Sequence, residues 1–399
     1  DGRVFDLMVG TDSADTLTGT SGSDVIFARQ GADVVSAGAA ADLVSGEEGA
    51  DLLFGGDGDD SLSGGAYQDG VDTLSGGAGN DIVAGGILQN TQQFDDGDVL
   101  YGGDGDDTVV GGNVALYNGQ VTYFYDRAMG SGADTLIGGA GNDIVIGGGG
   151  DDVYVFGIGD GQDTFYDYYT SISTTALQGG TDVVWLGAGI TVDDIWVNWS
   201  GANLQVGIVD GVTDFVDLGD KFTMYAQNTA ATRIESFVFA DGTTLAYDEV
   251  QALAGIDARQ TSVILGTGSA DTLTGTSGAD ALFGRGGDDV IVAGDGADLV
   301  TGGDGNDLLS GGAGNDDDTL DGGAGADRLS GGNGVDLLSY ATSSAGVSVN
   351  LATAVVSGGD AQGDTILGFE NLVGSAYADT LVGTTSANEM SGGAGDDLI

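Results

Sequence analysis

An all-β fold of parallel solenoids, with two nonapeptide repeats to each coil and a small β-rich domain between stacks, follows from three observations. Asp15, Asp24, Asp33, Asp42, Asp51 and Asp60 stand nine residues apart. An apolar residue lies two positions after each of them: Leu17, Ile26, Val35, Val44, Leu53 and Leu62. The chain holds 79 Gly and no Pro. A fixed short period is the mark of a solenoid, whose repeats bury an apolar face only by stacking. Without Pro, every strand N–H is available to the ladder.

The register continues through Asp72, Asp81, Asp98, Asp107, Asp134, Asp143 and Asp152. A second run passes through Asp271, Asp280, Asp289, Asp298, Asp307, Asp318, Asp327 and Asp336, and a third through Asp379, Asn388 and Asp397. Nine residues divide into a turn of about six and a strand of about three, too short to stand alone. Two nonapeptides then make one coil, with a turn on each side. Both main runs open with the identical "ADTLTGTSG", at 14–22 and 270–278. Gly-Thr there replaces the later Gly-Gly, as expected of a terminal cap.

Five segments follow. Residues 1–155 form a first roll, 156–260 a β-rich inter-roll domain, 261–339 a second roll, 340–378 a β connector, and 379–399 the start of another roll. The inter-roll segment holds Trp185, Trp196 and Trp199, alternating stretches such as "DIWVNW", and a short helix expected at "YDEVQALA". Alternating strands make these tryptophans core residues rather than a sugar-stacking platform. Residues 340–378 alternate as strands that extend the stack.

Insertions test the coil. After Asp60 the spacings are 12, 9, 17, 9, 27 and 9. Extra residues enter only at alternate turns, and alternate turns share one side of a two-turn coil. All three insertions should therefore leave from one edge.

Composition excludes several functions. Acids outnumber bases 63 to 8, for a formal charge of -55. So little basic surface leaves nothing to meet phosphate, which argues against nucleic acid. There is no His and no Cys. Ser-His-Asp and Cys-His nucleophiles, HExxH zinc sites, disulfides and thiolate metal sites are thereby excluded. No apolar run approaches the roughly 18 residues of a membrane span, so no membrane insertion is expected. The chain starts without Met and stops within a repeat, and reads as part of a longer polypeptide.

The acids comprise 57 Asp and only six Glu. Short Asp carboxylates suit tight turns. Stacked coils lie about 4.7–4.9 Å apart, the strand-pairing distance. Neighbouring carboxylates at that spacing repel by about 0.8 kcal/mol in water and about 3 kcal/mol at an effective dielectric near 20. Summed over a stack, this rivals a domain's net stability of about 5–15 kcal/mol. A divalent ion between successive turns reverses the sign. Oxygen is the only plentiful donor, which selects calcium over zinc or copper. Calcium takes about six to eight oxygens. Two turns, each giving one carboxylate and two carbonyls, reach that number. No D-x-D-x-D-G is followed by a suitably placed Glu, so an EF-hand is not indicated.

The phrases "GGDGDDSLS" at 55, "GGAGNDIVA" at 76, "GGDGDDTVV" at 102, "GGAGNDIVI" at 138, "GGDGNDLLS" at 302 and "GGAGADRLS" at 322 carry a resemblance. The chain resembles the RTX (repeats-in-toxin) haemolysin-type calcium-binding family over about half its length. The resemblance implies a parallel β-roll, calcium-dependent folding and export by type I secretion to the outside or surface of a bacterial cell. Residues 156–260 are similar to the haemolysin-type calcium-binding related domain that follows such rolls, and "FGIGDGQDTFYDY" looks like the usual exit.

Carried over residue by residue, the resemblance implies carboxylate ligands at Asp24, Asp33, Asp42, Asp51, Asp60, Asp72, Asp81, Asp98, Asp107, Asp134, Asp143 and Asp152 in the first run. In the second run it implies Asp280, Asp289, Asp298, Asp307, Asp318, Asp327 and Asp336, with Asp397 beyond. Asp160 and Asp163 would hold a last ion at the exit. Main-chain ligands would come from Gly56, Gly58, Gly77, Gly79, Gly103, Gly105, Gly139, Gly141, Gly303, Gly305, Gly323 and Gly325. The ions would number on the order of 10–20. Weak copies at 28 and 37, where glycines are replaced, should be strained and bind less well.

A non-catalytic calcium-binding module of a secreted adhesin, surface-layer or matrix protein is the expected function. Its partners would be calcium, a second copy of itself or a cell-surface polysaccharide. The alternative is an accessory folding and secretion module of a larger secreted protease, lipase or epimerase, whose catalytic domain lies outside this chain.

Overall fold

The computed structural model describes residues 6–65, 70–87, 97–117, 120–123, 132–167, 180–209, 217–225, 234–254 and 262–399. The chain divides into two compact units, Asp1–Gly255 and Ile256–Ile399.

In the first unit, successive strands alternate between two sheets, and each pairs in parallel with the strand one coil away. One sheet runs through Asp24–Gln30, Leu43–Glu48, Ser61–Gly65, Ile82–Ile87, Thr108–Tyr117 and Ile144–Ile146. The other runs through Val34–Ala39, Leu52–Asp57, Thr73–Ala78, Val99–Asp104 and Thr135–Ala140. Val25 pairs with Leu43 and Val34 with Leu52, the 18-residue offset of a two-repeat coil. This is a parallel β-roll.

Side chains alternate across each strand, so the apolar residue two after each Asp points inward. Ile26, Leu62, Val83 and Val109 form one fully buried column, and Val35, Leu53, Leu74, Leu100 and Leu136 the facing one. The insertions fall between Ser61–Gly65 and Thr73–Ala78, between Ile82–Ile87 and Val99–Asp104, and between Thr108–Tyr117 and Thr135–Ala140. Each lies on a connection from the first sheet to the second. The return connections stay short, as the spacing requires.

The strands Val153–Phe156, Gln162–Tyr166, Val183–Leu186, Asp217–Met224 and Ser236–Phe239 extend the same two sheets. Antiparallel strands Ile195–Ser200, Asn203–Val209 and Thr244–Ala246 close them. Here the aliphatic columns give way to rings. Phe165 stacks on Phe222 at 4.9 Å between centroids, and Tyr154 on Phe165 at 5.3 Å. The helix read from "YDEVQALA" is present as Tyr247–Ala252.

The tryptophans depart from expectation. Trp185 is 40% exposed, and Trp196 and Trp199 are half-buried. The alternation is real, but its phase is the other one. Ile195 and Val197 face inward, and Trp196 pairs with Gly207 on the outer face. A one-residue shift of phase moves every side chain to the opposite face.

The second unit repeats the plan. Asp280–Gly286, Leu299–Asp304, Thr319–Ala324, Leu337–Ser339 and Asn371–Val373 lie in one sheet. Val290–Gly294, Leu308–Gly312, Arg328–Ser330 and Thr365–Leu367 lie in another. Leu282, Ile291, Val300, Leu309, Leu320, Leu338 and Leu372 fill the space between them.

Candidate metal centre

The turn at 76–81 shows how the site is built. Gly77 and Gly79 take φ of +121° and +135°, the left-handed region that favours glycine. These two residues curl the chain so that Asp81 ends the turn immediately before the strand Ile82–Ile87. Its carboxylate lies under the turn, with the residue only 2% exposed.

Each Asp is laced to its equivalents one coil away. The main-chain N–H of Asp60 donates to Oδ1 of Asp81 at 2.7 Å, and the N–H of Asp81 donates to Oδ1 of Asp107 at 2.7 Å. Asp107 continues to Asp143 and Asp143 to Asp163. Asp24, Asp42 and Asp60 begin this ladder. The opposite turns carry a second ladder through Asp33, Asp51, Asp72, Asp98, Asp134, Asp152 and Asp182. In the second unit, Asp289, Asp307 and Asp327 form one ladder and Asp280, Asp298, Asp318 and Asp336 the other. Asp397 accepts from the N–H of Asp379 at 2.9 Å.

At many of these positions the second carboxylate oxygen has no such donor. Oδ2 of Asp33, Asp42, Asp51, Asp60, Asp81, Asp107, Asp143 and Asp163 is buried with no hydrogen-bond partner. The same holds for Oδ2 of Asp289, Asp298, Asp307, Asp327 and Asp336. A buried anionic oxygen left unpaired is strongly unfavourable. The repetition of that state along both stacks points to a missing positive partner.

Main-chain oxygens lie close by. A Cβ built on Gly76 would sit 2.3 Å from Asp81 Oδ2 and 2.6 Å from the carbonyl oxygen of Gly102. A Cβ on Gly103 would meet the carbonyl oxygen of Gly77 at 1.9 Å, and one on Gly105 that of Gly79 at 2.0 Å. Gly56, Gly58, Gly139, Gly141, Gly303, Gly305, Gly323 and Gly325 pack the same way against main chain of the preceding coil. The first glycine of the phrase, absent from the expected ligand set, is thus required by the close approach of the carboxylate.

No group of three or more carboxylates close enough to hold a metal occurs among the described residues. One carboxylate per turn completes a coordination shell only with carbonyls. This all-oxygen donor set suits a hard cation such as calcium.

Burial raises the carboxyl pKa values. Desolvation is the first cause and neighbouring acids add to it, against the lowering effect of the donated N–H. Asp60 and Asp107 rise to about 7, Asp51, Asp81 and Asp143 to about 6, and Asp163 to about 8. Asp298 and Asp327 rise to about 7, and Asp307 and Asp318 to about 6.

Three expected ligands, Asp24, Asp280 and Asp160, have a donor at Oδ2. Asp24 Oδ2 accepts from the N–H of Thr20 at 2.6 Å and from its hydroxyl at 3.2 Å. Thr276 supplies the same pair of donors to Asp280 Oδ2. The Gly-Thr turns therefore satisfy their own carboxylates. Asp160 accepts from the N–H of Gly157 at 2.7 Å, and its charge, with those of Asp143 and Asp220, bears on Asp163.

Where glycine is replaced, the turn keeps its shape. Arg29, Ala40, Glu47 and Arg285 hold φ of 84°, 71°, 73° and 75°. Such strain costs about 1–3 kcal/mol per residue. Sequence reasoning missed Asp182, Asp220, Asp364 and Glu370, which also accept turn N–H groups.

The profile of the RTX calcium-binding nonapeptide repeat matches residues 9–44, 36–66, 68–91, 95–113, 130–163, 265–300, 283–317, 316–338 and 373–399, more than half the chain. The chain belongs to this family. No curated protein matches it. The matched RTX segments coincide with the regular ladders, and the unmatched 164–264 includes the coils where Asp182 and Asp220 take over.

Proposed function

We propose that this chain is a non-catalytic RTX module that folds on binding extracellular calcium and serves a secreted surface or matrix protein as a structural element. The observation that carries the reading is the row of buried, unpartnered Asp Oδ2 atoms beneath glycine turns. The ladder carboxylates named above, with Asp160, Asp163 and Asp397, and the paired glycine carbonyls are its proposed ligands. Ions on the order of 10–20 would fill both rolls.

Binding supplies what the metal-free turns lack. A ligand that binds only the folded state stabilises it by mass action, and a site absent from the unfolded chain couples binding to folding. High extracellular and low cytosolic calcium would then keep the chain extended before export and order it afterwards. With a charge of -55, bare chains repel one another, and calcium would favour lateral assembly. On this reading 1–155 and 261–339 act as calcium rolls, and 156–260 and 340–378 as spacers.

Far-UV circular dichroism of the full chain tests the reading. β signal that appears on adding calcium and disappears with excess chelator supports it. A signal indifferent to chelator rejects it.

A further inference from the structure

The first unit carries a carboxylate pair that breaks the repeat. Ile146 pairs with Tyr166, so Asp167 stands in register with Gly147, the first glycine of its turn. The N–H of Gly148 donates to the carbonyl of Asp167 at 3.1 Å, confirming that alignment. In the preceding coils Gly85, Gly111 and Gly147 fill this position, and a Cβ added to any of them would run into Oδ2 of the Asp ending that turn. Asp167 puts a second carboxylate where those turns have only a Cα.

The ladder Asp of this turn is Asp182, whose Oδ1 accepts the N–H of Asp152 at 2.8 Å. Its Oδ2 is buried, and the carboxyl of Asp167 is its side-chain partner. Asp167 is 1% exposed, neither of its carboxylate oxygens accepts an N–H, and its side-chain partner is the carboxyl of Asp182 itself. Its charged neighbours are Asp182, Asp152 and Glu235, and no base is among them. The hydroxyl of Tyr154 overhangs the same cradle, accepting from the N–H of Gly147 at 3.1 Å and donating to the carbonyl of Tyr166 at 2.9 Å.

We infer that Asp167 and Asp182 form a two-carboxylate divalent-cation site at the end of the first roll, distinct from the one-carboxylate turns and the first to fill with calcium. The inference rests on the calcium-binding reading above. A ladder turn offers one side-chain charge and makes up its shell from carbonyls. This turn offers two, and neither Asp167 oxygen is engaged by main-chain N–H. Calcium affinity rises with the charge count of its ligands. The site lies outside the segments that match the repeat profile.

Calcium titration calorimetry of the full chain tests this, with terbium luminescence sensitised by nearby Tyr154 as a second readout. The variants are Asp167→Asn, Asp167→Gly and, as a ladder comparison, Asp81→Asn. Asp167→Gly restores the residue of the earlier coils and so is compatible with the fold. The wild type should show a one-ion event before the main phase. Both Asp167 variants should weaken that event at least tenfold and reduce early terbium emission, while β content at saturating calcium is kept. Asp81→Asn should keep the early event and lose an ion from the main phase. Asp167 variants that titrate like the wild type overturn the inference and mean that the pair is closed by a shared proton. A wild-type chain that takes up no calcium overturns both this inference and the calcium-folding reading, whereas calcium uptake without the early event overturns this one alone.

Discussion

The N–H of Asp60 donates to Oδ1 of Asp81 at 2.7 Å, so two acids 21 residues apart in sequence are held one coil apart by a hydrogen bond. That bond engages one oxygen of Asp81 and leaves the other facing the turn above it. Asp81 thus joins coils through Oδ1, and on the proposed reading Oδ2 is the oxygen it offers to a cation.

The two oxygens can be separated by Asp81→Asn. The amide keeps a carbonyl acceptor for Asp60 but removes the charge. In saturating calcium the variant should lose stability by about 1.5–3 kcal/mol, taking the range for a hydrogen bond to a charged group. In chelator the sign should reverse, because a desolvated charge has been removed. Chemical denaturation under both conditions checks the reversal.

Gly76→Ala should destabilise the calcium-loaded form by about 1–3 kcal/mol, the usual effect of overpacking. Its Cβ would be driven to 2.3 Å from Asp81 Oδ2 and 2.6 Å from a main-chain oxygen. Gly22→Ala is the matched control, since its Cβ would come no nearer than 3.8 Å to any neighbour. A thermal melt should move for Gly76→Ala and stay put for Gly22→Ala.

Ala40→Gly should stabilise the protein. Ala40 holds φ of 71° where stronger copies of the repeat have glycine. Relief of that strain outweighs the extra entropy of glycine in the unfolded chain by about 1 kcal/mol. A higher Tm in calcium is the expected result.

Acid should partly replace calcium. Asp60 and Asp107, near the usual value of 3.8 when unfolded, rise to about 7 in the metal-free fold. The folded state then binds more protons than the unfolded chain between those values, and stability falls as pH rises through that window. Below about pH 4 the penalty is absent. In chelator, β content should rise on acidification from pH 8 to pH 5, and the gain from calcium should be greatest above pH 7. Circular dichroism against pH, with and without calcium, measures both trends.

Much of this was legible in the sequence because each signal had one physical meaning. The residue two after each Asp faces inward by strand alternation, so Leu53, Leu74 and Leu100 were readable as one column. Insertions at alternate turns could leave from only one edge. The tryptophans were misread because alternation fixes the period and not its phase. Trp196 packs over Gly207 on the outer face, and nothing local to "DIWVNW" marks that. Asp167 and Asp182 were missed because "GGTDVV" shortens the phrase and 15 residues separate the two acids in sequence. Their meeting depends on the pairing of Ile146 with Tyr166. The self-satisfied state of Asp24 and Asp280 was hidden because a Thr in place of glycine reads as decay of the motif, whereas its N–H and hydroxyl supply the donors other turns lack.

A crystal structure of the calcium-loaded chain, with anomalous scattering used to locate the metal, bears most directly on the central claim. The expected result is a calcium peak beside Oδ2 of Asp60, Asp81 and Asp107, shared with glycine carbonyls of neighbouring turns. The same coiled stack with water or nothing at those oxygens would contradict it.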